Sequence, residues 1–155
     1  MKIQWKPLLI QLAIPLAVGG LAGFLIRNSM ETYLSLEKPP FSPPPAVFPI
    51  AWILLYLLMG TAAYLIVTSS SPDRKQALIL YGIQLAVNFF WPLIFFNLGY
   101  FLTAFFWLLL LLALVLLTIQ NFGRIRSLSA WLLLPYAVWL IYAAYLNFGV
   151  FWLNR

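Results

Sequence analysis

Five uninterrupted apolar stretches, each close to twenty residues long, dominate this sequence. About 20 apolar residues are the length that an α-helix needs to cross the hydrocarbon core of a bilayer. Only 8% of the residues are charged, whereas a soluble domain carries about 25%, so a soluble fold would have too few charges to cover its surface. We therefore predict one all-α domain over residues 1–155, an integral membrane bundle of five transmembrane helices at residues 7–26, 46–68, 77–96, 100–119 and 128–152.

The loop at residues 27–45, before the second span, is rich in proline. Six of the eleven prolines of the chain fall between Pro39 and Pro49. Each proline fixes φ and biases the preceding residue toward extended backbone, while Pro49 suits the first turn of a helix. The sequence predicts a stiff lid loop over the apolar segments, with a short turn or helix at Tyr33, and with these lid residues: Lys38, Pro39, Pro40, Phe41, Pro43 and Pro44.

The basic residues are unequally divided between the two ends of the predicted bundle. Six lie on the side of the N-terminus and three on the opposite side, where Arg27, Lys38 and Arg155 fall. Because cytoplasmic loops carry the excess of lysine and arginine, we expect a cytoplasmic N-terminus if the protein resides in the cell membrane. The basic residues are scattered in pairs, so we predict no nucleic-acid partner.

Three of the spans carry a stripe of aromatic and amide side chains at helical spacing. Side chains three or four residues apart share one helix face, and amides are costly against hydrocarbon, so each stripe should point inward. Together the stripes predict a pocket for a flat and mostly apolar ligand, with Ala143 and Gly60 leaving room for it. The stripes are Trp52, Tyr56, Met59 and Ala63; Tyr81, Gln84, Asn88, Trp91 and Phe95; and Tyr136, Trp139, Ala143 and Asn147.

Each of these features also has a purely structural interpretation. Buried amides often join neighbouring membrane helices, and tryptophans often anchor helix ends at the membrane interface. Two pairs of small residues, Gly19 with Gly23 and Gly82 with Ala86, would permit close helix contact. We predict that the second pair, on the third span, contributes to a homodimer.

Catalytic and metal-binding side chains are scarce. The chain has no histidine or cysteine, and its three acids, Glu31, Glu37 and Asp73, fall in predicted loops. We therefore predict no catalytic acid, base or nucleophile, no metal site and no required cofactor. An ion-coupled pump would also lack intramembrane charge. Binding is the function that this composition permits.

Several segments resemble the TspO/MBR family of tryptophan-rich sensory and translocator proteins, which includes the peripheral benzodiazepine receptor. The segment KPPFSPPP from Lys38, the segment FPIAW ending at Trp52 and the segment LYLLMG from Leu55 are similar to the signature of that family. QLAVNFFW from Gln84 and LPYAVW from Leu134, followed by AAYLNF, resemble its third- and fifth-helix motifs. The resemblance covers essentially the whole chain.

The resemblance implies a bundle of five helices, often dimeric, with a ligand pocket beneath the first loop. It implies a membrane receptor or carrier for porphyrins such as protoporphyrin IX or haem, and for sterols or benzodiazepine-type drugs. A tetrapyrrole transporter and an enzyme that degrades porphyrin in light are the alternatives. The implied ligand-binding residues are Tyr33, Trp52, Tyr56, Asn88, Trp91, Trp139, Ala143 and Asn147.

Two departures from the family pattern matter for the ligand. Phe41 stands where the family often has tryptophan in the proline loop, and the proposed sterol motif lacks a basic residue near Tyr145, the next being Arg155. Without histidine, strong axial ligation of haem iron is not expected. We predict that metal-free porphyrin binds at least as well as haem.

Overall fold

The computed structural model describes residues 2–155, and all regular structure in that range is helical. Five long helices are long and apolar enough to cross a membrane, which confirms the predicted fold class. A 3₁₀ turn and a short helix, α2, follow the first of them and contain Tyr33. The helices are α1 Trp5–Ile26, α2 Met30–Leu34, α3 Val47–Val67, α4 Arg74–Pro92, α5 Phe101–Ile125 and α6 Ser127–Leu153.

The connection between α5 and α6 differs from the loop expected between the predicted spans 100–119 and 128–152. Helix α5 continues to Ile125, and only Arg126, in extended backbone, separates it from α6. No proline interrupts residues 120–125, and a helix that leaves the bilayer can continue with polar side chains in water. The absence of a side chain at Gly123 also permits the tight turn, because an added Cβ would lie 3.2 Å from the Ala130 Cβ.

Helix α4 ends in a π-helical turn, Leu93–Asn97. Pro92 has no N–H to continue the regular hydrogen-bond ladder, and the widened turn closes through the bond from the Leu98 N–H to the Leu93 carbonyl (3.1 Å). π-Helical turns are rare and are frequent at functional sites. This turn places Phe95 and Phe96 beside Trp91, at the end of the bundle under α2.

The long helices form a ring in the order α1, α3, α6, α5, α4, and α4 closes the ring against α1. The end of the ring where α3 finishes and α4 begins is filled by a buried core that includes Met59, Ile66, Tyr81 and Leu133. At the opposite end, α1, α4 and α6 finish and α3 begins. Side chains from these four half-helices leave a cavity there.

Gly60 serves a different contact from the one predicted. Gly60 was expected to leave room for a ligand, but it lies against the backbone of α1, where an added Cβ would be 2.6 Å from the Gln11 carbonyl oxygen. Gly82 and Ala86 lie on the exposed outer face of α4. The homodimer and the orientation in the membrane stay predictions.

Candidate ligand cavity

A cavity of about 680 Å³ lies inside the ring, beneath α2. Small-molecule sites are commonly concave, mostly apolar pockets of about 300–1,000 Å³ with a few polar groups. This cavity fits that description in both size and chemistry. Its lining residues are Leu16, Gly19, Gly20, Ala22, Gly23, Ile26, Arg27, Met30, Tyr33, Pro45, Phe48, Pro49, Trp52, Ile53, Tyr56, Asn88, Trp91, Pro92, Phe95, Phe96, Leu111, Ala143, Leu146, Asn147 and Val150.

Two stacked aromatic pairs, on different helices, form parts of the wall. On α3, the rings of Trp52 and Tyr56 stack with centroids 5.6 Å apart. On α4 and its π turn, Trp91 stacks on Phe95 at 5.3 Å. Both pairs line the cavity, and their π faces suit a flat aromatic ligand.

Helix α1 contributes glycines and aliphatic side chains, and no aromatic rings. Gly19 touches Tyr56 so closely that an added Cβ would lie 2.2 Å from the ring, whereas Gly20 and Gly23 have no neighbour within 4 Å of such an atom. The close approach of α1 therefore holds Tyr56 in place, while the other two glycines leave open space in the wall.

A chain of hydrogen bonds runs from the cavity into the core. The Tyr56 hydroxyl donates to Asn88 Oδ1 (2.9 Å), Asn88 Nδ2 donates to the Tyr136 hydroxyl (2.7 Å), and that hydroxyl donates to Gln84 Oε1 (2.8 Å). All four residues are buried. The chain fixes the orientation of the Asn88 amide and ends at Gln84 Nε2, which has no partner among the described residues.

A second amide supports Trp91. This amide is Asn147: the Trp91 indole Nε1 donates to Asn147 Oδ1 (3.0 Å), and Asn147 Nδ2 donates to the Phe101 carbonyl (2.8 Å). Helix α6 is thereby joined to both α4 and the start of α5. Thus each cavity amide joins neighbouring helices, as the structural interpretation expected, and also lines the cavity.

Seven of the eight sequence-predicted binding residues line the cavity, and Trp139 does not. The Trp139 ring packs edge-on against Trp52 (6.3 Å between centroids) and Phe48 (6.1 Å), so these two side chains separate it from the cavity. Helical spacing placed Trp139 on the inward stripe of α6, but α3 packs over that part of the stripe. The seven residues are Tyr33, Trp52, Tyr56, Asn88, Trp91, Ala143 and Asn147.

Tyr33, on α2, closes the end of the cavity that lies beneath that helix. It is buried, and its ring packs edge-on against Phe96 (5.1 Å between centroids), Phe95 (5.9 Å) and Phe48 (6.4 Å). The Lys38 ammonium lies 5.1 Å from the centre of the same ring and donates to the Leu34 and Leu36 carbonyls at the end of α2. These contacts hold α2 over the cavity.

The proline segment, residues 37–45, lies along α6. The Asn154 side chain bonds the backbone of Glu37, and the Tyr145 hydroxyl donates to the Pro40 carbonyl (2.6 Å). The Tyr142 hydroxyl donates to the Phe41 carbonyl (2.5 Å). None of the lid residues from Lys38 to Pro44 lines the cavity in the described chain, and only Pro45 of this segment does.

Proline is suited to this path along an apolar helix. A backbone N–H without a partner is costly away from water, and proline has none, while tyrosine hydroxyls satisfy two of the carbonyls. Phe41 takes a left-handed backbone conformation (φ 68°) and its side chain is 88% exposed. The missing indole at this position therefore does not alter the cavity wall.

Gly149 provides the space for Pro39 on α6, and we expect Gly149→Ala to loosen the lid loop. The added Cβ would lie 2.5 Å from two ring carbons of Pro39, so the proline segment must move. We expect chymotryptic cleavage after Phe41 to become about fivefold faster, since an overpacking cost of about 1 kcal/mol favours the open loop by that factor. Gly82→Ala, where a Cβ meets nothing within 4 Å, is the control, and equal cleavage rates in both variants would contradict the prediction.

Several lining residues were not predicted from the sequence. Phe95 was on the inward stripe of α4, but Phe48, Phe96 and Arg27 were not singled out. Phe48 directly precedes Pro49, and Phe96 lies in the π turn that follows Pro92, so a proline near a span end with phenylalanine close to it was the available signal. The glycines of α1 were interpreted only as a helix-contact motif.

Comparison with known proteins places the chain in a family. The TspO/MBR family model matches residues 11–153. Similar proteins include the tryptophan-rich protein TspO of Archaeoglobus fulgidus, 35% identical over 90% of this chain and 91% of its own. The tryptophan-rich sensory protein of Cereibacter sphaeroides is 35% identical over 99% of this chain and 95% of its own, and the translocator protein of Ovis aries is 34% identical over 97% and 92%. Together with five membrane-length helices, these matches show that the chain is a multi-pass integral membrane protein that belongs to the TspO/MBR family.

Proposed function

We propose that this protein is a membrane receptor or carrier that binds porphyrin-like tetrapyrroles in the cavity beneath α2. Sterols and benzodiazepine-type drugs are further flat, hydrophobic molecules that we propose as ligands. The observation that carries the proposal is the cavity of about 680 Å³ with stacked rings on two walls. Relatives named as translocator and sensory proteins support the same role.

The wall chemistry suits an aromatic macrocycle with few polar atoms. The rings of Trp52 and Trp91 offer π faces, and Ala143 keeps the α6 wall flat. The side-chain amides of Asn88 and Asn147 each use one donor and one acceptor within the protein. An amide has two donors and two acceptor lone pairs, so each retains capacity to bind a polar edge of the ligand.

Filling the cavity from α6 tests this proposal. We expect Ala143→Leu to weaken the binding of protoporphyrin IX at least about tenfold, because the larger side chain takes space that the ligand needs. The measurement is a titration of purified, detergent-solubilised protein in the dark, followed by tryptophan quenching. Ala113→Leu is the matched control, because Ala113 lies on the exposed face of α5 and the added volume stays outside the ring.

Quenching that fails to saturate in the wild type would reject porphyrin as the ligand. Saturable binding with equal affinity in both variants would mean that the porphyrin binds elsewhere. A parallel titration with haem adds a specificity test. Since the chain has no histidine to ligate iron, we expect haem to bind no more tightly than the metal-free porphyrin.

Light-dependent breakdown of porphyrin is the alternative, and the position of two indoles favours it. Trp52 lines the cavity, and the Trp139 ring packs against the Trp52 ring, on the side away from the cavity, with 6.3 Å between centroids. The two indoles could supply electrons to an excited porphyrin, with dioxygen as the oxidant. A new absorption spectrum that forms only in light, and that Trp52→Phe abolishes while dark binding persists, would distinguish this enzyme from a receptor. Transport would instead require ligand flux across sealed vesicles that contain the protein.

A further inference from the structure

Arg27 is the one charged residue among the cavity-lining side chains of the described chain. It follows directly after α1 ends, at the same end of the bundle as Tyr33 and one helical turn beyond Gly23. A charge at the edge of an otherwise aromatic and aliphatic wall gives the cavity one electrostatically distinct point. Because the charge of Arg27 is positive, this point of the wall is suited to bind an anion.

The guanidinium group of Arg27 lies over the exposed Phe24 ring, which does not line the cavity, and would turn toward the cavity to bind a ligand. One side-chain nitrogen, Nη1, donates to the Phe24 carbonyl, and the group lies over the Phe24 ring at 3.7 Å. The same carbonyl also accepts the backbone N–H of Arg27, so movement of the guanidinium would leave no carbonyl without a partner. A guanidinium has five N–H donors, and those that remain fit a carboxylate in bidentate geometry.

Two simpler roles do not account for this position. A cation after the end of a helix interacts favourably with the helix dipole, which explains a positive charge there but not its place in the cavity wall. Lys38, the nearest comparable cation in the lid loop, donates to two carbonyls and does not line the cavity. Lys38 holds the lid loop, whereas Arg27 belongs to the cavity wall and can reach the ligand space by rotation of its side chain.

We propose that Arg27 is an anion-recognition point, and that the preferred ligands combine a flat apolar body with a peripheral carboxylate. This inference rests on the proposed function and narrows its substrate class. The apolar body would lie between the aromatic walls, and the carboxylate would remain at the end of the bundle beside Arg27. Such an arrangement keeps the ionised group away from the apolar interior, where its burial would be costly.

Protoporphyrin IX and its dimethyl ester provide the test, because the ester keeps the macrocycle and removes both negative charges. In dark titrations we expect Arg27→Gln to weaken protoporphyrin IX binding about fivefold, the size typical of an exposed ion pair. The affinity for the ester should stay unchanged. The control is Arg155→Gln: Arg155 lies at the same end of the bundle and stacks on Trp152 at 3.5 Å, but it does not line the cavity.

The possible results separate this inference from the proposed function. Equal losses for both ligands, or no loss for either, would overturn the role of Arg27 and leave porphyrin binding intact. Equal losses in Arg27→Gln and Arg155→Gln would indicate a general surface-charge effect and would also overturn it. Absence of saturable binding to the wild type would reject both proposals. If the inference holds, Arg27→Lys restores part of the affinity, and the difference between the acid and the ester shrinks in high salt.

Discussion

Replacing Gly60 with alanine is expected to destabilise the bundle by about 1–3 kcal/mol, the usual cost of overpacking. The added Cβ would lie 2.6 Å from the Gln11 carbonyl oxygen and 2.7 Å from the Leu12 Cα. Both are backbone atoms of α1, so no side-chain rotation relieves the clash and the whole helix must move away. Helix α1 packs mainly against α3, and this displacement therefore weakens its principal attachment.

The unfolding midpoint in detergent, at one fixed heating rate, measures this effect. In a chain of this size each kcal/mol corresponds to about 2–4 °C. Gly82→Ala is the matched control, since the same change on α4 meets nothing within 4 Å. Alanine is a better helix former than glycine by about 1 kcal/mol, so the control should be neutral or stabilising. We expect a lower midpoint for Gly60→Ala and an unchanged or higher midpoint for Gly82→Ala, and equal midpoints in the two variants would show that α1 is not held by this contact.

The inward faces of α3, α4 and α6 could be predicted because their side chains carry a signal. Buried amides are costly in hydrocarbon, and Gln84, Asn88 and Asn147 are all nearly fully buried, with 1%, 3% and 1% of their surface exposed. Aromatic residues at the same helical spacing then place Trp52 and Trp91 in the same cavity. Periodicity and polarity together identified the inward faces of these three helices, but they did not separate the cavity residues from Met59, Tyr81 and Tyr136, which lie in the packed core.

The part of the cavity wall that α1 contributes could not be predicted in the same way. Helix α1 has no buried polar stripe, and half of its cavity residues are glycines, which have no side chain to show which face is inward. Gly19 and Gly23 were interpreted as one contact motif, yet Gly19 packs tightly on Tyr56 while Gly23 leaves open space. The difference depends on which residue of α3 stands opposite each glycine, and that is a tertiary contact.

Tertiary contacts also decide the positions of Trp139 and the proline segment. The spacing of Trp139 was correct for an inward face, but Phe48 and Trp52 intervene between it and the cavity. The path of the proline segment along α6 depends on bonds from Tyr142, Tyr145 and Asn154, more than 100 residues away in sequence. Local patterns contain no information about such partners.

Gly19→Ala is expected to abolish the cavity in its present form. The added Cβ would lie 2.2 Å from Tyr56 Cε2 and 2.8 Å from two further ring atoms, so the Tyr56 ring has to leave its place. That ring is buried, stacked on Trp52 and bonded through its hydroxyl to Asn88. Its displacement disrupts one aromatic wall and frees the Asn88 amide. We expect protoporphyrin IX binding to weaken at least about tenfold and stability to fall by about 1–3 kcal/mol.

The neighbouring glycine is the control for the same substitution. Gly20 also lines the cavity, but a Cβ there meets nothing within 4 Å, so Gly20→Ala should retain both binding and stability. The double variant Gly19→Ala, Tyr56→Leu separates the two effects, because removal of the ring relieves the clash without restoring the wall. It should recover stability relative to Gly19→Ala and still bind weakly. If Gly19→Ala and Gly20→Ala bind the porphyrin equally well, the Tyr56 wall is not part of the binding site, and the ligand must occupy another surface of the bundle.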